Sequence, residues 1–227
     1  MGQARLKKML AASRLQVVTP VAERAANALA RLASSASAHF GADCYLHARL
    51  GEILLADEGV AVRRVAGYAA WRVGAGDGDV IAHMIQPGIK IHPSGLPEAA
   101  YHVWLETIED DASASILIDL TSYQLEHKAR MLDAADGGCT SVEWSPDVLI
   151  RSKYEVCKSF QMVAQAAHAG FCFYQEVPGM MNWLDRQYRG LDPQDVGIAR
   201  LLMRNPHIQV RMAGDEQGQA RFCRDSA

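Results

Sequence analysis

The 227-residue sequence predicts a mixed α+β domain. Two observations carry that expectation. Apolar residues recur at helical spacing in several stretches, and between these stand shorter runs rich in Val, Ile and aromatic residues bounded by Gly, Pro and Asp. A third is composition: 49% hydrophobic and 22% charged residues describe an ordinary folded globule, and the length suits one medium domain rather than two. A single domain over residues 1–227 is therefore expected.

The opening MGQARLKKMLAASRLQVV reads as an arm or helix, because it lacks the continuous apolar run and cleavage site of a secretory signal. Thr19-Pro20 then resembles an N-cap followed by a proline at the first helical position, with Val21, Ala25, Ala28, Leu29 and Leu32 on one stripe and an end near Ser37. A second helix is expected to start at Cys44, capped by Asp43, with Leu46, Leu50, Ile53 and Leu54 on one face and Gly59 as its stop. Residues 60–73 (VAVRRVAGYAAWRV) read as one strand with a break or bulge near Gly67, and DVIAHMI at 79–85 as another. QPGIKIHPSGLPEAA (86–100) has three prolines and two glycines and reads as a long loop. Because it runs directly into Tyr101-His102, the segment 74–100 is expected to wall or lid any site there.

YHVWLETI (101–108) and SILIDLT (115–121) read as a hairpin, followed by a helix capped at Thr121 or Ser122 with Leu125, Ala129 and Leu132 on one side. Beyond it the pattern predicts loop plus a short strand ending in VLI, helix over 153–169, strand over 171–177, a helix from Asp192-Pro193 to about Arg204, and a last strand in HIQVRMA.

Lys+Arg 23 against Asp+Glu 26 leaves a formal charge of −3, so no global field exists to hold nucleic acid or an anionic membrane. No window approaches the ~18 uninterrupted apolar residues of a membrane span. Five cysteines (44, 139, 157, 172, 223) are odd in number and lack CxxC spacing, so neither a disulfide framework nor a zinc site is written, and a reducing cytoplasm fits. No metal or cofactor is expected. The absence of GxxxxGK[ST], GxGxxG after a strand, HExxH and GxSxG argues the same way for nucleotide, dinucleotide, zinc-peptidase and serine-hydrolase chemistry.

A turn centred between Asp110 and Asp111 would put His102 directly opposite Asp119 on one sheet face, with Trp104 beside it. Asp119 interrupts the apolar run ILIDL, and a carboxylate buried there needs a partner. His102 supplies one, and the pair would fix the imidazole tautomer and leave the other ring nitrogen as a base. Cys44 at a helix start is the candidate nucleophile, since the helix end lowers a thiol pKa and its unpaired N–H groups can receive an oxyanion.

In this order the residues resemble a known family. Cys at a helix start (GADCYLHARLGEILLADEGV), a strand with a glycine–aromatic pair (AVRRVAGY), His-x-Trp (YHVWLET) and a strand Asp (LIDLT) look like the transglutaminase-like branch of the papain-like cysteine peptidase superfamily, over about residues 40–121. The resemblance implies a papain-like fold: an antiparallel sheet packed on a central helix that begins at the cysteine. It implies Cys44 as nucleophile, His102 as base and then acid, and Asp119 as the residue orienting the histidine. The substrate implied is a peptide or another amide-containing molecule. Papain-like enzymes place a glutamine before the cysteine for the oxyanion; Ala38-His39-Phe40 stands in that stretch here, leaving Gln16 as a remote candidate.

Rival readings are concrete. The family includes non-catalytic descendants, so a binding module that kept the fold is the alternative. His47, one turn after Cys44, is a rival base. His83 and His92 flank the long loop and, with Trp104, are candidate binding residues. A metal site of Cys44, His47 and His102 is disfavoured by the lack of paired ligand spacing. The remaining cysteines read as structural, and an oligomer is possible.

Overall fold

The computed structural model describes residues 3–35, 44–84, 101–109, 114–188, 190–208, 211–212 and 220–221. The fold is α+β. In chain order the elements are α1 (Gln3–Ser35), α2 (Cys44–Asp57), β1 (Val62–Arg72), β2 (Val80–His83), β3 (His102–Thr107), β4 (Ile116–Asp119), a 3₁₀ turn (Ser122–Gln124), α3 (Leu125–Asp136), β5 (Leu149–Ser152), α4 (Phe160–Ala164), β6 (Cys172–Glu176), α5 (Met180–Gln187), α6 (Pro193–Arg204), β7 (Arg211–Met212) and β8 (Ala220–Arg221). Six strands form one antiparallel sheet with neighbours in the order β2-β1-β3-β4-β5, and β6 also pairs with β1. Among the described residues no helix is long and apolar enough to cross a membrane.

Side chains alternate across a strand, so the register sorts them between two cores. Val62, Ala66, Val103, Leu105, Ile116 and Ile118 pack against α1, α2 and α6. Val65, Trp71, Trp104, Leu117, Leu149 and Cys172 face the other way, against Leu125 and Ala129 of α3. Every residue of β3 is buried, as befits a strand covered on both faces.

Several expectations are corrected by long-range packing. Thr19-Pro20 does not start a helix, because α1 runs through it. Val18, Ala22, Ala25, Ala26 and Leu29 form one buried stripe across the proline, and Pro20 itself lies on the exposed side, where a missing N–H costs least. The strand containing Gly67 has no break: β1 is continuous, and Gly67 pairs with His102 on β3 and with Glu176 on β6. A 3₁₀ turn precedes α3, and Thr121 makes no side-chain cap: its hydroxyl donates to Asp119 and its oxygen accepts from Lys128. Of the stripe expected on that helix, Leu125 and Ala129 are buried but Leu132 is exposed.

Residues 153–169 are helical only over Phe160–Ala164, because the chain at Cys157 is held on the sheet, its N–H donating to the Cys172 carbonyl at 2.8 Å. Helix α5 was not foreseen. In α2 the buried face holds Leu50 and Leu54 as expected, whereas Leu46 and Ile53 are half-buried. Gly59 stops that helix at φ +78°, a conformation that favours glycine. Asp192 caps α6, accepting from the Gln194 N–H at 2.8 Å. Asp43 and the loop at 86–100 lie outside the described residues.

Candidate functional site

The hairpin register differs from the simplest turn. Leu105 stands opposite Ile118, where the sequence reading would put Ile116. A slide of this even step preserves parity, so Asp119 stays on the face of His102 but diagonal to it rather than opposed. The imidazole spans the diagonal: His102 Nε2 lies 2.8 Å from Asp119 Oδ2, and both side chains are 0% exposed. An ionised carboxylate only accepts, so Nε2 carries the hydrogen and Nδ1 is left to take a proton.

Asp119 is satisfied throughout. Oδ2 also accepts from the Tyr174 hydroxyl on β6 at 2.7 Å, and Oδ1 accepts from the backbone N–H and the hydroxyl of Thr121, each at 2.9 Å. Trp71 Nε1 donates to the Tyr174 oxygen at 2.7 Å. This network fixes the carboxylate in space. Burial on its own would push Asp119 up, but the charge and hydrogen bond of His102, the charge of Lys128 and the Tyr174 hydrogen bond outweigh it, holding the carboxyl far below the usual range.

Rings enclose the imidazole. Trp71 meets it edge-on at 4.9 Å, Trp104 lies parallel at 6.3 Å, and His83 stands perpendicular at 5.7 Å. Burial is the largest influence and disfavours the imidazolium, yet the Asp119 charge together with the hydrogen bonds to Asp119 and Cys44 raises His102 above its ordinary value. His83 goes the other way: burial, then the Lys128 and His102 charges, push it well below, so it is neutral.

Cys44 opens α2, which packs on the opposite sheet face, and it is 6% exposed. Burial pushes its thiol up, but hydrogen bonding and charge from His102, then Lys128 and the Val103 backbone, bring it below the ordinary value. His102 Nδ1 nonetheless lacks a partner of strict hydrogen-bond geometry. The thiol–imidazole contact is thus a loose one. Cys44 shares a narrow void with His47, Val103, Trp104, Leu120 and Thr121 that is too tight to admit a water molecule.

No protein-family model matches the chain, and no curated protein does. In the solved structures it is similar to one described as "The crystal structure of genomics APC5867", at 17% identity and a TM-score of 0.56, with 89% of each chain covered. That likeness shows a shared α+β fold.

The structure therefore brings together Cys44, His102 and Asp119, with Trp104 and His83 against the imidazole. His92 lies outside the described residues. The rival base His47 lines the same void as Cys44, and its Nε2 lies 3.0 Å from the Tyr123 hydroxyl. Gln16 is exposed on α1. Among the described residues no group of three or more His, Cys, Asp or Glu side chains could hold a metal ion. Residues 74–79 close on Asp79, whose carboxylate accepts from the Gly76 and Ser141 N–H groups.

Sequence reasoning missed Tyr174, Trp71 and Lys128, which no local pattern ties to Asp119. It also missed a cluster beside the cysteine. Tyr45, which follows Cys44, stacks on Tyr188 at 4.1 Å, and Tyr101, which precedes His102, shares a short hydrogen bond with the Tyr188 hydroxyl. Tyr45 in turn donates to Asp185, which pairs with Arg64.

Proposed function

We propose that the chain is a papain-like, transglutaminase-like thiol enzyme that hydrolyses or transfers the acyl group of an amide-type bond through Cys44, His102 and Asp119. The observation that carries this reading is the buried His102, held by Asp119 at Nε2 and left with Nδ1 free beside a helix-start thiol whose pKa is lowered. The Sγ proton passes to Nδ1 and the thiolate attacks the carbonyl carbon. Negative charge moves to the carbonyl oxygen, and the unpaired first-turn N–H groups of a helix such as α2 are the donors that would receive it. His102 returns the proton to the leaving amine, the C–N bond breaks and a thioester remains. Water, giving its proton to Nδ1, or a second amine then releases the acyl group and restores the thiol.

The tight void at Cys44 favours a second reading, a binding module in which the same residues serve packing. Turnover of a panel of amide and thioester substrates separates the two. The thiol enzyme turns over at least one member, and Cys44→Ala abolishes that activity while the variant keeps its fold. Turnover unchanged in Cys44→Ala contradicts the mechanism, and no turnover of any member favours the binding module.

A further inference from the structure

One buried group at this site has no place in the three-residue mechanism. Lys128, on the α3 face that covers the second core, is 3% exposed. Its Nζ lies 3.3 Å from the Thr121 hydroxyl oxygen and 4.9 Å from the centre of the Trp71 ring. Thr121 spends its own hydroxyl hydrogen on Asp119 Oδ1 at 2.9 Å, so its oxygen is the acceptor for the ammonium. Among the described residues no carboxylate comes within ion-pairing distance of the ammonium; Asp119 is reached through Thr121. A lysine buried this way costs several kcal/mol of desolvation unless its charge is used. Trp71 faces it with the negative side of its ring, which offsets part of that cost.

We propose that Lys128 is a positioning residue, a buried ammonium that acts through Thr121 and Asp119 to set how the proton is shared between Cys44 Sγ and His102 Nδ1. The inference rests on the thiol-enzyme reading and deepens it. With Asp119 as its only charged neighbour, the imidazolium would be held too firmly to return its proton to a leaving amine. A second cation on the far side of the carboxylate divides that attraction. It also favours the thiolate over the thiol. Both effects run in the direction of the charge interactions from Lys128 to His102 and to Cys44. Burial, the largest influence on Lys128 itself, lowers its own pKa, and the Asp119 and Cys44 charges act to keep it protonated.

The charged and titratable groups it interacts with come from four neighbouring elements: His83 on β2, His102 on β3, Asp119 on β4 and Cys44 on α2. Removing the ammonium takes a cation away from both partners of the proton. The Cys44 thiol and the His102 imidazolium should each titrate about one pH unit higher.

The test compares the full-length protein with Lys128→Met, Lys128→Gln and Lys128→Arg. Two readouts are used, the pH dependence of Cys44 alkylation by iodoacetamide and NMR titration of the His102 ring. Both midpoints should rise in the Met and Gln variants and return in the Arg variant, a rescue that a packing role would not produce. Should the Met variant not fold, the Gln variant, which keeps a donor for Thr121, carries the comparison. Unchanged midpoints in a folded Gln variant overturn the proposal. The histidine readout does not require an active thiol: if Cys44 is inert while the His102 midpoint still rises, the thiol-enzyme reading falls and the influence of Lys128 stands. If Cys44 is reactive but neither midpoint moves, the reverse holds.

Discussion

Asp119→Asn is expected to fold with reduced stability and to lose about 10³- to 10⁴-fold of any Cys44-dependent turnover. Four donors converge on this carboxylate, from His102, Tyr174 and, twice, Thr121. An amide offers one oxygen. If it stays on Thr121, its NH₂ group meets the Tyr174 hydroxyl and His102 Nε2, which must then become an acceptor and move its hydrogen to Nδ1. That tautomer cannot take the Cys44 proton. Asp119→Leu removes the polar partner altogether and is the sharper control, since a structural pair can often be replaced by apolar packing. Full turnover in a folded leucine variant would sink the triad.

The same variant has a distinctive pH signature. Asp119 is held below its unfolded value, so its contribution to stability is complete above about pH 4 and is lost as pH falls below that value. His102 is raised, so its contribution is complete below about pH 6.5 and declines as pH rises through the folded value. The stability gap between the wild type and Asp119→Asn should therefore grow as pH rises toward about 4, level off, and shrink again above about 6.5. Urea unfolding across a pH series measures it, and a gap constant with pH would mean the pair carries no charge in the folded protein.

Gly67→Ala should produce the largest loss of stability, about 3 kcal/mol or more. A Cβ at this position would stand 1.9 Å from the Gln175 carbonyl oxygen and 2.9 Å from the Gln175 carbonyl carbon and the Val177 nitrogen. These are backbone atoms with no rotamer to yield, so β6 must separate from β1. Tyr174, which donates to Asp119, sits on that strand. The alanine variant should thus also slow Cys44 alkylation, through a residue far from the thiol in sequence. Wild-type unfolding by urea would contradict the pairing of β6 with β1.

Parity explains why part of the site was legible. A period-2 pattern assigns faces without fixing register, so His102 and Asp119 could be placed together even though the hairpin slides from Leu105–Ile116 to Leu105–Ile118. Cys44 was legible because a helix start and its glycine stop are local signals. Lys128 was not, since a lysine in an amphipathic helix reads as solvated until the sheet beneath supplies Thr121 and Trp71. Pro20 misled for a related reason: Pro is a start signal locally, but the buried stripe from Val18 to Leu29 holds the helix together on both sides of it. The extended chain at Cys157 depends on pairing with Phe173, sixteen positions on, which no helical period contains.

The central claim is that Cys44 is activated by His102, and competitive alkylation tests it most directly. Iodoacetamide is applied near neutral pH to the folded protein, and each cysteine is followed by peptide mass. Cys139 is exposed and sets the rate of an ordinary accessible thiol. Burial pushes Cys157 up, and Cys172 up to about 12, so neither should compete. Cys44 should be modified faster than Cys139 despite its burial, and His102→Ala should slow that reaction without altering Cys139. Cys44 left unmodified while Cys139 reacts, or a Cys44 rate indifferent to His102→Ala, would contradict the account.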